Sequence, residues 1–304
     1  MKRIESSVRR CLRLFDLFIS GVLGSAILLT VIVQPVAADT ESSRLIIIVD
    51  DVGNNLEQGI AAINLPGPVA YSVLPHTPHS VALAEMAYGQ GKEVMLHAPM
   101  ANTAHLKLGP GGLTDDMTHQ QLKKMLRGNI EAVPYVAGVN NHMGSLLTQR
   151  RQKMDWVMEV LAEQGLFFLD SKTTTKTMAW KSAYSQGVPW LMRDVFLDHE
   201  QTTAFVDKQF RYGLKLAREQ GFAVLICHPY PVTIEYLKHA LPKIGELGIQ
   251  LVSPSAFLFQ QAEARRLVEA QQADRKLESV CDQNEGRCQT ALARQNGNAQ
   301  LESN

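Results

Sequence analysis

The sequence predicts an α/β fold, in which helices surround a single distorted (β/α) barrel of about seven to eight parallel strands. About eight short apolar runs alternate with helix-like segments over residues 39–260, and this alternation favours parallel βαβ units. No Pro/Gly/Ser-rich linker interrupts the series, so one barrel fits the sequence better than two domains. The chain has 304 residues, of which 45% are hydrophobic and 20% are charged, and this composition is typical of a globular protein with a large core.

The first predicted strand organises the rest of the chain. Its apolar run, Leu45–Val49, contains four β-branched residues and is typical of a strand that is buried on both faces. The other predicted strands, in chain order, are Pro68–Leu74, Glu93–Leu96, Val136–Val139, Leu166–Leu169, Trp190–Phe196, Ala223–Cys227 and Ile249–Val252.

The segments between the strands have the periodicity and the end signals of helices. Arg150–Gln164, for example, has apolar residues along one face and is followed by Gly165. The loop Ala101–Asp116 is long enough to be a lid or to contact a substrate. The predicted helices are His79–Gln90, Thr118–Ala132, Arg150–Gln164, a short helix that ends near Ser185, Thr202–Gln220 and Thr233–Leu247.

Residues 1–38 are predicted to be a secretory signal peptide. Five basic residues lie before or near the start of the apolar segment Leu17–Val33, and small residues follow it up to a predicted cleavage site after Ala38. The barrel is then exported, to the periplasm or an equivalent compartment, and keeps no stable membrane span. The alternative is an uncleaved membrane anchor, because an apolar segment of this length is near the lower limit for a span.

The C-terminal segment, residues 261–304, is predicted to be a polar tail that is partly helical and then disordered. Cys281 and Cys288 flank a short hydrophilic spacer that could close as a disulfide loop, which suits an exported protein. Cys227 ends an apolar strand and is predicted to be a buried, inert thiol.

The charge balance argues against nucleic acid as a partner. Lys and Arg number 30, Asp and Glu also number 30, and removal of residues 1–38 leaves a slightly acidic chain. No G-x-G-x-x-G motif follows a predicted strand, so nothing indicates a nucleotide cofactor.

Ionisable residues follow the predicted strands with unusual regularity. Because the carboxyl ends of parallel strands form one rim of a barrel, residues that are distant in sequence can meet there. Each residue alone has a simpler explanation: adjacent aspartates can cap a helix, and a single histidine can be a core or a turn residue. The residues at strand ends are Asp50, Asp51, His97, His142, Asp170, Asp198, His199 and His228.

Two imidazoles and one or two carboxylates match a catalytic zinc site, which has three protein ligands and an open position. Taken together, the residues at the strand ends therefore favour a metal site over separate structural roles.

Six segments in this order resemble the divergent branch of the polysaccharide deacetylase superfamily. They are IIIVDDVG, EVMLHAPM, NNHMGS, FFLDSKT, RDVFLD and CHP, and the resemblance covers roughly residues 44–258. It implies a distorted barrel of the glycoside hydrolase/deacetylase type and a metal-dependent hydrolysis of N- or O-acyl groups on a glycan.

The resemblance also implies roles for individual residues. Asp50 corresponds to the general base, Asp51 and His97 to metal ligands, and His228 to the general acid. The superfamily has a second histidine four residues after the first, where this chain has Ala101. We therefore predict that His142 is the third ligand and that the divalent metal is zinc.

Four further residues complete the predicted site. Arg193, with Asp194 or Asp198, is predicted to orient Asp50. Asp170 and Asn141 are predicted to support the site or to contact the substrate.

The predicted function is that of an exported, metal-dependent, deacetylase-like hydrolase that removes acyl groups from an envelope polysaccharide or another acylated glycan. Two alternatives stay open. One is a catalytically inactive barrel that binds a glycan or a protein partner, and the other is an enzyme that hydrolyses an amide or ester of a non-glycan substrate.

Overall fold

The computed structural model describes residues 43–282, with side chains described as far as Lys276. The predicted signal peptide and the side chains of the predicted Cys281–Cys288 pair lie outside this part of the chain, so both stay predictions.

Within residues 43–282, nine parallel strands form one curled sheet. Their order is β6-β5-β4-β3-β2-β1-β8-β7, and β9 pairs with the first residues of β1. The strands are β1 (Ser43–Val52), β2 (Ala70–Val73), β3 (Glu93–Met100), β4 (Val136–Met143), β5 (Phe167–Asp170), β6 (Trp190–Met192), β7 (Val195–Phe196), β8 (Phe222–Cys227) and β9 (Ile249–Leu251).

The two strands at the ends of this order are consecutive in the chain. Only Arg193 and Asp194 separate β6 from β7, and these two strands pair with β5 and β8 respectively. One short segment therefore reaches both ends of the sheet, and the sheet has the form of the distorted barrel that the sequence predicted.

The predicted single strand Trp190–Phe196 is wrong in detail, because the backbone changes partner in its middle. The Arg193 amide donates to the Asp170 carbonyl on one side, whereas the Asp194 amide donates to the Val224 carbonyl on the other.

Eight helices connect the strands or follow the last of them in the described residues. Of these, α1 was not predicted. The helices are α1 (Leu56–Ile63), α2 (Ser80–Gly89), α3 (His119–Glu131), α4 (Arg151–Gln164), α5 (Ala179–Ser185), α6 (Thr203–Gln220), α7 (Pro231–Ala240) and α8 (Pro254–Asp282).

Two helices end or begin away from their predicted positions. α7 stops at Ala240 and two 3-10 turns follow, because Pro242 has no N–H for a helical hydrogen bond. α8 begins at Pro254 and continues past residue 260, so the predicted end of the barrel domain falls inside a helix. No helix within residues 43–282 is long and apolar enough to cross a membrane.

The strands separate two apolar clusters. In β1, Leu45, Ile47 and Val49 pack against the helices, whereas the alternate residues Ile46 and Ile48 belong to the cluster inside the barrel. Other strands add Ala70, Met95, Leu169 and Ile226 to the inner cluster, and Phe257 of α8 joins it.

A polar residue lies two positions beyond the last inward apolar residue of each of these five strands, namely Ile48, Ala70, Met95, Leu169 and Ile226. The series is Asp50, Ser72, His97, Ser171 and His228, and we call these residues the polar ring. The apolar interior thus leads directly into a polar layer at the rim.

Candidate metal centre

A turn at the end of β1 directs two adjacent carboxylates to the same side. Asp51 has a φ of 57°, in the left-handed region, and the pairing of β1 with β2 shifts register between Val49 and Val52. This irregularity breaks the alternation of a regular strand, so Asp51 faces the same group of histidines as Asp50. Gly53 is required next to it, because a Cβ atom there would collide with the Thr77 side chain.

His97 and His142 come from the neighbouring strands β3 and β4, in which His97 pairs with Asn140 and Pro99 with His142. Both histidines lie inside strands rather than after them, because β3 extends to Met100 and β4 to Met143. The predicted strands were too short, because the apolar residues end before the backbone pairing does.

Asp51, His97 and His142 bring three ligand atoms together. Asp51 Oδ1 lies 2.8 Å from His142 Nδ1 and 3.1 Å from His97 Nε2, and the two nitrogens are 3.2 Å apart. Ligand atoms of a tetrahedral zinc ion are about 3.3 Å apart, given zinc–ligand distances of about 2.0–2.1 Å. The three distances are slightly shorter than this, so the atoms are close enough together to bind one zinc ion after a small outward shift.

The hydrogen bonding of Asp51 supports this interpretation. Its Oδ1 atom is buried, yet no described group makes a hydrogen bond of acceptable geometry with it. A buried carboxylate oxygen without a donor is unfavourable unless a cation is close to it. The residues present therefore fit a divalent metal.

Asn140 fixes how His97 presents its ring. The His97 Nδ1 atom lies 2.7 Å from Asn140 Oδ1, which can only accept a hydrogen bond, so Nδ1 carries the proton. In the neutral ring the Nε2 lone pair is then free to face the ligand atoms, as a metal ligand requires.

The charges around the site favour a cation. Burial opposes protonation of His97, but the negative charges of Asp50 and Asp51 outweigh it and raise the pKa of His97 to about 9. Burial would raise the pKa of Asp51, but the two facing imidazoles hold it well below its usual range.

Asp50 is in a different environment from Asp51. It is 3% exposed, and burial raises its pKa above the usual value despite the nearby histidines. Its Oδ1 atom accepts a hydrogen bond of 2.7 Å from Asn140, and its Oδ2 atom lies 3.7 Å from His97 Nε2. Two adjacent carboxylates thus have different properties, one suited to a cation and one suited to a proton.

His228 lies beside Asp51, which with His97 and His142 forms a group that we call the ligand cluster. Its Nδ1 atom lies 3.0 Å from Asp198 Oδ1, and its backbone amide donates to Asp198 Oδ2. Burial would lower the pKa of His228, but the hydrogen bond and charge of Asp198 raise it above the usual value. Its Nε2 atom points towards the ligand cluster, 3.7 Å from Asp51 Oδ2.

The side chains of this group differ in their exposure to solvent. The His97 side chain is 3% exposed, whereas the Asp51 side chain is 33% exposed and that of His228 is 16% exposed. The His142 side chain is also 19% exposed, so solvent reaches Asp51, His142 and His228, whereas His97 and Asp50 are buried.

The structure brings six of the predicted residues together: Asp50, Asp51, His97, His142, Asp198 and His228. Two others stabilise the loop after β5 and the turn after β4. Asp170 accepts hydrogen bonds from Thr177 and from the Lys172 amide, and Asn141 joins the Met143 carbonyl to the Ser171 amide.

Arg193 and Asp194, which are predicted to orient Asp50, make their described hydrogen bonds with backbone groups, so a role towards Asp50 stays a prediction. The Arg193 guanidinium donates to the carbonyls of Ser171 and Lys172, and Asp194 accepts from the Val224 amide. These backbone groups occupy both side chains, because Arg193 and Asp194 lie where the sheet changes partner strands. Asp198 contacts His228 instead of Asp50.

The sequence reasoning missed Asn140, which makes the direct hydrogen bond to Asp50. The available signal was the two-residue period of a strand, because Asn140 precedes His142 by two residues and shares its face. Asn141, the predicted residue, lies on the opposite face.

Comparisons with known proteins agree with the fold and the motifs. Residues 47–258 match the family model described as divergent polysaccharide deacetylase. The chain is 34% identical over 241 residues to the uncharacterized protein YibQ of Escherichia coli, covering 79% of this chain and 74% of that protein. It is 38% identical over 210 residues to an uncharacterized protein of Haemophilus influenzae, covering 69% of this chain and 75% of that protein.

A solved structure shows a similar fold. The crystal structure of the uncharacterized protein ATU2773 from Agrobacterium tumefaciens superimposes with a TM-score of 0.69 at 22% identity, covering 71% of this chain and 89% of that one. With the family model matched over most of the barrel and the motifs assembled at one rim, the chain belongs to the divergent polysaccharide deacetylase family.

Proposed function

We propose that this protein is an exported, metal-dependent hydrolase that removes acyl groups from a glycan, with zinc as the metal. The convergence of Asp51 Oδ1, His97 Nε2 and His142 Nδ1 within 3.2 Å of one another carries the proposal. Membership of the family supports a polysaccharide as the substrate, and the predicted signal peptide supports export.

A divalent cation held by Asp51, His97 and His142 would lower the pKa of a water molecule and polarise the acyl carbonyl. The two proton transfers are assigned to other side chains of the rim, Asp50 and His228.

Asp50 is the general base. Asn140 holds its Oδ1 atom, so the Oδ2 atom is left to face the ligand atoms. The raised pKa of this buried carboxyl suits it to take a proton from water as the water oxygen attacks the acyl carbon.

His228 is the general acid. Asp198 binds its Nδ1 atom, so the Nε2 atom faces the site and donates a proton to the leaving nitrogen or oxygen. The C–N or C–O bond breaks, and the products are a carboxylic acid and the free amine or alcohol of the glycan.

The ring of His228 is held between two aromatic side chains. Phe196 contacts it edge-on with ring centres 5.2 Å apart, and Tyr230 stacks on it at 5.4 Å. Together with Asp198, these contacts keep the Nε2 atom directed at the site.

The first test is the zinc content of the purified protein, measured by elemental analysis for the wild type, His97→Ala and His142→Ala. We expect near-stoichiometric zinc in the wild type and loss of zinc in both variants. His119→Ala is the matched control, because His119 pairs with Glu159 on the surface and should leave the zinc content unchanged.

The zinc-loaded wild type is then assayed for acetate release from N-acetylated and O-acetylated glycans, beside simple esters and amides. Release from glycans supports the proposal. Release from only the simple substrates would favour the non-glycan hydrolase, and absence of zinc after reconstitution would favour the inactive binding barrel.

A further inference from the structure

Asn140 is the most connected side chain near the ligand cluster. It is completely buried in β4 and contacts four other strands or their ends. Its Oδ1 atom accepts from Ser72 at 2.8 Å and from His97 Nδ1 at 2.7 Å. Its Nδ2 atom donates to Asp50 Oδ1 at 2.7 Å and to Ser171 Oγ at 3.4 Å.

These partners permit only one orientation of the amide. The Asp50 carboxylate needs a donor, so it must face the NH₂ group of Asn140. His97 needs an acceptor for its Nδ1 proton if its Nε2 atom is to remain free for a metal. A reversed amide would place oxygen against oxygen at Asp50 and donor against donor at His97.

We propose that Asn140 is a positioning residue that holds the metal ligand His97 with its carbonyl end and the base Asp50 with its NH₂ end. The role of the NH₂ end in turnover rests on the proposed function, whereas the role of the carbonyl end requires only metal binding. The carbonyl end acts on metal binding and the NH₂ end acts on turnover, so substitutions can separate the two roles.

Asn140→Asp replaces the NH₂ end by an oxygen and preserves the accepting oxygen of the carbonyl end. Its carboxylate still accepts from His97 and Ser72, but it places an oxygen where Asp50 needs a donor. We expect a zinc Kd within about threefold of the wild type, since carboxylate–histidine–metal contacts are common. We expect kcat to fall by at least about 30-fold with little change in KM, because Asp50 is no longer held for proton transfer.

Asn140→Leu removes both ends. It should weaken zinc binding by about 10- to 100-fold, the usual effect of losing the partner of a metal-bound histidine. Zinc Kd is measured by competition with a chromogenic chelator. Equal zinc affinities in the Asp and Leu variants would overturn the separation of the two ends.

Asn129→Asp is the matched control, because Asn129 is also fully buried. It donates to the Gly111 carbonyl and lies 3.0 Å from His76, so it has no contact with the ligand cluster. If Asn129→Asp lowers kcat as much as Asn140→Asp, the loss reflects a buried charge in general and the proposal is wrong.

A stability measurement tests the NH₂ end without any assay of activity. Asn140→Asp should lower the Tm by about 3–10 °C, because two carboxylate oxygens then face each other at hydrogen-bond distance. The double variant Asp50→Asn/Asn140→Asp exchanges donor and acceptor, so it should recover at least half of that loss without regaining turnover.

No recovery of Tm in the double variant would overturn the contact between Asn140 and Asp50. A failure of the proposed hydrolase function would give a different outcome from a failure of the contact between Asn140 and Asp50. If the wild type binds zinc but hydrolyses no acyl substrate, the zinc affinities and the Tm recovery still decide whether Asn140 positions its two partners.

Discussion

The two halves of the barrel interior are built by the same strands and have opposite chemistry. Towards the amino ends, the inward residues are apolar, as in Ile46 and Ile48 of β1, and Phe257 packs among them. Two residues later along the same strands the polar ring begins, with Asp50 after Ile48 and His97 after Met95. One step of the strand period therefore separates the apolar part of the interior from the part that holds the candidate site.

This difference shows how the protein keeps a buried polar cluster in place. Asp50, Ser72, His97 and Asn140 satisfy one another by hydrogen bonds above a completely apolar layer. The apolar layer fixes the strands, and the strands fix the polar atoms. Changes in the polar layer should therefore affect zinc binding or turnover, whereas changes in the apolar layer should affect stability.

The largest effect is expected for Asp50→Asn. Its side chain keeps the size of the carboxylate but cannot accept the proton of the attacking water. We expect kcat to fall by about 10³-fold, within the range for loss of a general base. Zinc content should not change, because Asp51, His97 and His142 are intact. Steady-state kinetics and elemental analysis measure the two effects.

Asp155→Asn is the control, since Asp155 pairs with Arg151 on the surface of α4. It should change kcat by less than about twofold. Loss of zinc in Asp50→Asn, comparable to that in His97→Ala, would mean that Asp50 is a ligand and that its assignment as the base is wrong.

The apolar half is tested by Ile48→Ala. Ile48 is completely buried inside the barrel, two residues before Asp50. The substitution should reduce the free energy of unfolding by about 2–5 kcal/mol, through lost burial and the cavity that it leaves. Urea denaturation in the presence of a chelator measures this effect on the metal-free protein, and zinc stoichiometry at low temperature should stay unchanged.

Val81→Ala, at a half-exposed position of α2, should change the free energy of unfolding by less than about 0.5 kcal/mol. If Ile48→Ala lost zinc while its stability stayed near that of the wild type, the two halves would not be separate in the way proposed.

Asp198→Asn tests whether Asp198 orients His228, the proposed general acid. Three donors converge on this carboxylate: His228 Nδ1, the His228 amide and the Thr233 hydroxyl. An amide offers only one accepting oxygen, so the His228 ring loses a partner or the NH₂ group meets another donor. We expect kcat to fall by about 10- to 100-fold with unchanged zinc content. An unchanged kcat would show that His228 does not depend on Asp198 for its orientation.

The sequence predicted the parts of this molecule that depend on local pattern. The β-branched run Leu45–Val49 indicates a buried strand, and the alternation of strands and helices indicates parallel βαβ units. The candidate ligands Asp51, His97 and His142 could be predicted from the sequence because their side chains are chemically distinctive and because the motifs around them resemble a known family.

The residues that the sequence missed depend on where the backbone pairing ends. β4 extends four residues beyond Val139 through polar positions, so Asn140 lies inside a strand and faces inwards with the site. β5 ends at Asp170, and the inward position after Leu169 is Ser171. In both places the predicted residue is the neighbour of the inward-facing one, because an apolar run does not show how far the strand continues beyond it.

Arg193 illustrates a different limit. Its position beside Asp194 and near Asp198 suggests an ion pair, but the guanidinium binds two carbonyls of the turn at Ser171 and Lys172. Lys172 has a φ of 49°, and this conformation depends on tertiary contacts such as the Asp170 side chain that accepts from its amide. No local pattern in the sequence indicates that a backbone turn would become the partner of Arg193.

The smallest effect is expected for Thr233→Val, which tests whether the Asp198 carboxylate needs all three of its donors. The Thr233 hydroxyl is buried and donates to Asp198 Oδ2 at 2.9 Å. Valine has nearly the same shape, so the change removes one hydrogen bond and should reduce the free energy of unfolding by about 1 kcal/mol. The two contacts from Asp198 to His228 remain, so kcat should fall by no more than about fivefold.

Thr233→Ser, which keeps the hydroxyl, should behave like the wild type in both measurements. A loss of kcat in Thr233→Val as large as that in Asp198→Asn would show that the hydroxyl, rather than the carboxylate alone, sets the position of His228. The position of His228 would then depend on a buried hydrogen-bond network as closely as the position of Asp50 depends on Asn140.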